Sequence, residues 1–316
     1  MEVSVIIPAY NAASFVERAV KSALRHTEVK EILLIEDGSK DNTLQICKEL
    51  RQQHNIVKLF QHNQGENQGA GATRNLGIRN ATQNFIAFLD ADDYYTEIRF
   101  QKEKEIFKKH PDADGVYGAI GVEYLDAVGA KAWEAKGFDH NTLTTVNKPV
   151  DPDHLFAFLT DFDNPKDYDG YFSIDAFTIK REQLLTSEIK FDASLRLHQD
   201  TIFLWQAAYA LNLYTGEFEK PLAMRCVHSD NRFIHTKKLN ASRSKMYKVM
   251  RDWTILQKLQ NNFIEFFNQK YFEHYISSKE KTVKHFSYLK LLLVDRRIRN
   301  NFSKKQLKFV LRQIFS

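Results

Sequence analysis

The first ninety residues switch regularly between two hydrophobic periods. Val3-Ser-Val-Ile-Ile7 is a short β-branched run ended by Pro8, which reads as a buried strand. After it, Phe15, Ala19, Val20 and Ala23 share one helical face, with Ser14 placed to cap the helix. Glu31–Ile35 is a second apolar run, and Asp41 opens a helix carrying Leu44, Cys47 and Leu50. Ile56–Phe60 reads as a third strand, Gly69–Ala81 as a helix and Phe85–Leu89 as a fourth strand. This βαβαβαβ order predicts a mostly parallel sheet with helices on both faces and right-handed crossovers. In such sheets ligands bind beyond the carboxyl ends of the strands. Pro8–Asn11, Glu36–Ser39 and Asp90–Asp93 each follow a strand, so they are expected to converge on one cleft.

A helix over 97–109 and a strand over 114–124 come next. From Leu125 to Gly170 the periodicity weakens among many Asp, Asn and Pro, with a short helix expected near Asp153–Thr160. Phe172–Lys180 alternates like a strand and Asp200–Ala210 is helical. After Thr236 the strand pattern stops. Met246, Val249, Met250, Trp253 and Leu256 have helical spacing, as do Leu307, Val310, Leu311 and Ile314, with breaks near Ser277–Ser278 and Asn300–Ser303. Two domains follow: an α/β domain over 1–236 and a helical appendage over 237–316.

Charge sharpens that division. The net charge of +5 conceals 19 Lys and Arg against 5 Asp and Glu in 237–316, and 26 against 35 in the rest. A basic surface of this kind suits anionic lipid headgroups, an anionic polymer or nucleic acid, or is a solvated helical face. The acidic first domain disfavours nucleic acid. Aromatic residues in the appendage, among them Trp253, Phe263, Phe266 and Phe267, imply packing on the first domain or in a homodimer. The 43% hydrophobic content is globular, and Cys47 and Cys226 do not make a disulfide framework. The start of the chain has neither a basic n-region nor an unbroken apolar core, and no run of about 18 apolar residues occurs. A cytoplasmic protein is expected, with peripheral contact at the inner face of a membrane.

The chemistry concentrates at strand ends. Asp90-Ala91-Asp92-Asp93 puts three hard carboxylates after an apolar strand, a donor set suited to Mn²⁺ or Mg²⁺ shared with phosphate oxygens. Capping of the helix that follows would explain the same residues without a metal. Asp37 ends the second strand, where it could accept from a uracil imide or a ribose hydroxyl; turn chemistry alone accounts for Gly38, Ser39 and Asp41. Asn67–Gly77 is glycine-rich and leads into a helix, but it follows the third strand and has Arg74 at the third glycine position. It is therefore not a dinucleotide fingerprint, although Arg74 could face a nucleotide or phosphate.

Taken together, Val3–Asn11 (VSVIIPAYN), Glu36–Thr43 (EDGSKDNT), Gly71–Ile78 (GATRNLGI) and Phe88–Asp93 (FLDADD), in this order, resemble the family 2 glycosyltransferases of the GT-A fold. The resemblance covers roughly 1–125 and implies an inverting enzyme that uses a nucleotide-diphosphate sugar and a divalent cation. It implies that Pro8, Ala9, Tyr10 and Asp37 line the nucleoside pocket with Arg74 beside it. Asp90 would then face the ribose or the metal, Ala91 would contact the donor and Asp92 would ligate the metal. The family places a Glu-Asp pair at the start of a helix, with the Asp as base. Here Asp200 matches and Gln199 replaces the Glu. The resemblance also makes His228 a metal or diphosphate ligand. Processive synthases of the family carry QxxRW and membrane helices, which this chain lacks. The expectation is a non-processive transferase, with UDP-sugar as donor and a glycan or lipid-linked acceptor, in bacterial surface polysaccharide assembly. The alternatives are a sugar-nucleotide-forming nucleotidyltransferase, whose basic first loop is missing from Ala9–Ser14, and a non-catalytic glycan-binding module.

Overall fold

A computed structural model describes residues 1–135, 143, 145–163, 165–231 and 239–278. Its described residues form two compact units. One is Met1–Arg196 with Phe203–His235, and the other is Leu197–Ile202 with the described part of 236–316. The terminal helical pattern around Leu307–Ile314 and the break near Asn300–Ser303 lie outside the described residues.

The first unit begins with β1 (Val3–Ala9), α1 (Val16–Leu24), β2 (Val29–Glu36), α2 (Thr43–Gln53) and β3 (Val57–Gln61). It continues with α3 (Ala70–Asn80), β4 (Phe85–Phe88), a two-residue β5 (Tyr94–Tyr95) and α4 (Gln101–Lys109). Then come β6 (Gly115–Tyr117), β7 (Ile120–Tyr124), α5 (Ala127–Glu134) and α6 (Pro152–Leu159). The remaining elements are β8 (Phe177–Lys180), α7 (Arg181–Thr186), α8 (Gln199–Ala210), whose first residues through Ile202 count with the second unit, β9 (Leu213–Thr215) and β10 (Ala223–Val227).

Among the described residues the main sheet runs β3-β2-β1-β4-β8-β6-β9. β3, β2, β1 and β4 are mutually parallel, as the βα alternation requires, whereas β8 is antiparallel to both β4 and β6. β1 is buried on both faces because helices cover both. Val3, Val5 and Ile7 share a core with Val16, Ala19, Val20 and Ala23 of α1 and with Cys47 and Leu50 of α2. On the opposite face α3 lies so close to β1 that a Cβ at Gly77 would stand 2.4 Å from Ile6 Cγ2.

Three local expectations need correction. Ser14 does not cap α1: the cap position is Phe15, and Val16 N–H bonds to Ala12 O instead. The single strand expected over 114–124 is two strands in different sheets. The chain leaves the main sheet at Gly118, where a Cβ would stand 2.4 Å from Glu217 O, and enters a second sheet ordered β5-β10-β7. An apolar run cannot report that switch, because the residues on either side of it, Val116, Tyr117, Ala119 and Ile120, are all buried. Finally, α5 lies in a stretch read as loop; Asp126 caps it by accepting from Gly129 N.

The second unit contains α9 (Leu239–Leu256) and α10 (Asn261–Ser277), which pack on each other. Met246, Met250, Phe267, Tyr271, Phe272 and Ile276 are buried in it, and the Arg251 guanidinium lies over the Tyr271 ring. Leu256, expected on the apolar face, is exposed. No helix among the described residues is long and apolar enough to cross a membrane.

Candidate donor and metal site

The turns after β1 and β2 are tied to each other. Asp37 N donates to Ala9 O, Asn11 N to Ser39 Oγ and Lys40 N to Asn11 Oδ1. Ala9 is buried, Pro8 half-buried and Tyr10 exposed, so Tyr10 offers its ring at the strand end. Asp37 is 2% exposed, and a buried carboxylate must find donors. It accepts from Gln68 N at 2.7 Å, Gly69 N at 2.9 Å and Asn67 Nδ2 at 3.0 Å. Both oxygens of Asp37 therefore shape the loop entering α3. Gly38, at φ +71°, permits this approach, since a Cβ there would stand 2.5 Å from Gly65 O.

The third strand-end segment meets the same region. Arg74, buried on α3, forms an ion pair with Asp90, and its guanidinium lies 5.3 Å from the Phe191 ring centre. Ala91 is buried. Asp92 keeps about a third of its side chain open, with 35% exposure. Its Oδ2 lies 3.4 Å from His228 Nε2 and 3.2 Å from Asn231 Nδ2. The hydrogen bond to Asp92 raises the pKa of His228 above its ordinary value, against the effect of burial. The imidazole also packs on Phe15, with ring centres 4.6 Å apart. Sequence reasoning paired Asp92 with His228 across 136 residues, and the structure brings them together.

Beside this pair, partly exposed Asp90 and buried Asp93 join a buried carboxylate that the sequence did not reveal, Asp175. Ligand oxygens of Asp90, Asp93 and Asp175 lie within 4.8 Å of one another. Asp93 accepts from Cys226 N, and Asp175 accepts from Asp90 N and Ser173 Oγ. Burial, then the charge of Asp92, pushes Asp93 well above the usual carboxylate range; burial, then Asp90, brings Asp175 up to about 6. Arg225 offsets part of this negative charge and donates to Ser173 Oγ. Much of the triad's acceptor capacity is thus engaged internally. The more open oxygens belong to Asp90 and Asp92, with side chains 34% and 35% exposed. Asp92 Oδ2 and His228 Nε2 are close enough to share one cation at hard-metal distances of about 2.1 Å, and a carboxylate with an imidazole suits Mn²⁺. Arg18 was also missed. It donates to the Asp92 carbonyl at 3.3 Å and pairs with Glu123 at 3.1 Å. On α1 it reads as an ordinary surface arginine.

Asp200 belongs to the second unit. The sequence pattern starts a helix at Asp200; α8 begins one residue earlier, at Gln199, with Asp200 inside its first turn. One carboxylate oxygen accepts from Thr201 N at 2.8 Å. His198 precedes the helix in a left-handed conformation, φ 64°, with Nε2 3.3 Å from Ser242 Oγ. Burial lowers its pKa, favouring the neutral ring.

With this geometry in place, comparison with known proteins is informative. The Glycosyl transferase family 2 model matches residues 4–164. The minor teichoic acid biosynthesis protein GgaA of Bacillus subtilis is 30% identical over 64% of this chain and 42% of its own length. The cholesterol galactosyltransferase of Borreliella burgdorferi is 25% identical over 88% of this chain and 75% of its own. The chain thus spans less than half the length of GgaA. Among solved structures, S. aureus TarS 1-349 in complex with UDP-GlcNAc superposes with a TM-score of 0.61 at 18% identity, covering 99% of this chain and 79% of that one. That likeness bears on the fold, and it agrees with the mostly parallel, helix-flanked GT-A sheet described above. With the family match across half its length, the chain belongs to glycosyl transferase family 2.

Proposed function

We propose that this chain is an inverting, non-processive, metal-dependent glycosyltransferase. It moves a sugar from a nucleotide-diphosphate donor, best matched by a UDP-sugar, to a hydroxyl of a glycan or lipid-linked acceptor in bacterial surface polysaccharide or glycolipid assembly. The observation that carries this reading is the meeting of Asp92 and His228 at strand ends, in the unit that also holds the Arg74–Asp90 ion pair and the tied β1 and β2 turns. The choice of UDP rests on the TarS complex with UDP-GlcNAc rather than on Asp37, whose oxygens already serve the loop entering α3. GgaA and the cholesterol galactosyltransferase support a surface polymer or a lipid as acceptor class. A cytoplasmic location, at the inner membrane face, suits that role.

In the reaction, Pro8, Ala9 and Tyr10 bound the nucleoside, and Arg74 orients Asp90 beside the donor. When bound, Mn²⁺ or Mg²⁺ held by Asp92 and His228 supplies Lewis-acid charge for the diphosphate. Asp200 takes the proton of the acceptor hydroxyl as its oxygen attacks the anomeric carbon. The bond to the diphosphate breaks on the opposite face, and the configuration inverts. Asp200 needs no second carboxylate for this step, so Gln199 is compatible with it. The test is a donor screen by thermal shift with and without Mn²⁺, followed by turnover of Asp92→Asn. A UDP-sugar should raise the melting temperature most when Mn²⁺ is present. Asp92→Asn should fold and lose most turnover, and EDTA should silence the parent until Mn²⁺ or Mg²⁺ is restored. Full turnover in EDTA defeats the metal reading.

A further inference from the structure

β10 ends at Val227, and the chain turns at once through His228–Asn231. Asn231 closes that turn twice: its N–H donates to His228 O at 3.1 Å, and its Oδ1 accepts from His228 N at 2.7 Å. Because Oδ1 faces an N–H, the amide orientation is fixed and the NH₂ group must point the other way. It points at Asp92 Oδ2, 3.2 Å away, the same oxygen that lies 3.4 Å from His228 Nε2. One side chain therefore grips both members of the candidate ligand pair.

The surrounding backbone is already held. Ser229 N donates to Asp126 Oδ2 at 2.8 Å, and a Cβ at Gly129 would stand 2.8 Å from His228 Cα. Arg18 holds the Asp92 carbonyl, and Phe15 covers the imidazole. What these contacts leave adjustable is the rotation of the Asp92 carboxylate, and the Asn231 NH₂ meets it. The position requires one acceptor and one donor on the same short side chain. Aspartate would set a second negative charge against Asp92, and an apolar residue would leave His228 N–H without its partner.

We propose that Asn231 is a positioning residue that aims the Asp92 carboxylate and the His228 ring at one shared divalent cation. The proposal rests on the reading of Asp92 and His228 as metal ligands. A hydrogen-bond donor behind a ligating carboxylate fixes which lone pair faces the ion, and losing such a partner typically weakens metal binding by about 10–100-fold.

The experiment measures Mn²⁺ affinity without donor, by electron paramagnetic resonance of free Mn²⁺, for the parent, Asn231→Ala, Asn231→Ser and Asp92→Asn. Serine keeps an acceptor near the turn but is too short to reach Asp92, so it decides the matter if the alanine variant does not fold. Asn231→Ser is expected to melt, metal-free, within a few degrees of the parent and to bind Mn²⁺ about 10–100-fold more weakly. The imidazole nitrogen modulation of the bound ion should diminish with it. Parental affinity in a folded Asn231 variant, with Asp92→Asn impaired, overturns the role of Asn231 and leaves the ligand pair standing. Parental affinity in Asp92→Asn removes the ligand pair and the proposal together.

Discussion

Asp37, Asp92 and Asp200 carry the same functional group in three different settings. Asp37 is buried and committed to three donors of the loop entering α3. Asp92 keeps about a third of its surface and shares one oxygen with His228 and Asn231. Asp200 gives one oxygen to a neighbouring amide in the first turn of α8. Asparagine at 200 keeps an oxygen for Thr201 N–H, so the helix start should survive while the proton acceptor is lost. Asp200→Asn should bind UDP-sugar like the parent, by calorimetry, and transfer sugar about 10²–10⁴-fold more slowly. Near-parental transfer would move the role of base to His198, whose ring burial keeps neutral. At this scale the sequence exposed what stands in motifs. Asp90, Asp92, Asp200 and His228 each sit beside a recognisable strand end or helix start. Asp175, Arg18 and Asn231 do not: their partners lie 85, 74 and 139 residues away, and only tertiary contact gives them meaning.

Elements were legible where one periodicity ran unbroken. β1 through β4 and the helices between them follow the expected order, because β1, β2 and β4 are almost wholly buried, β3 keeps a short apolar run at the sheet edge, and the helices bury one face. Legibility failed where a run changed sheets, as at Gly118, or where an element was as short as β5 and β9. The sheet also carries a polar contact that periodicity hides. Glu31 on β2 is buried and accepts from Ser4 Oγ on β1, Lys58 Nζ on β3, and both Thr82 N and Thr82 Oγ1. Burial pushes its pKa up, but those donors outweigh it and hold Glu31 below its ordinary value of 4.5. A carboxylate depressed in the folded state stabilises fully above its unfolded pKa, and that contribution is lost as pH falls through the folded value. Urea unfolding of Glu31→Gln should therefore show a loss of about 1–3 kcal/mol at pH 7 that shrinks steadily below about pH 4.5. A gap that stays constant down to pH 3 would mean that the charge contributes nothing.

The whole molecule joins an acidic α/β unit to a basic helical segment. Arg296, Arg297 and Arg299 form the densest basic cluster, Lys304, Lys305 and Lys308 follow closely, and all six lie outside the described residues. Clustered Lys and Arg contribute about 1 kcal/mol each near an anionic surface, and salt screens the attraction. The full chain should co-sediment with phosphatidylglycerol-containing vesicles at low salt, and much less with neutral vesicles or at high salt. Binding indifferent to lipid charge and salt would leave the segment with a structural or dimerising role. The three-stranded sheet has a further effect at this scale. β5 pairs with β10 through Tyr95–Ala223 and Tyr94–Met224, so the stretch just after Asp93 and the stretch just before His228 are laced side by side. The chain between them makes a detour that contributes strands to both sheets, and its two ends are already fastened. Lengthening such a detour costs only about 0.6 kcal/mol per doubling of a flexible loop. Descendants of this chain could therefore gain or lose length in exposed turns of that detour, so long as Asp126 and Gly129 stay against the His228 turn, while their ion-facing residues keep station, so that the partner they serve drifts and the bond they make does not.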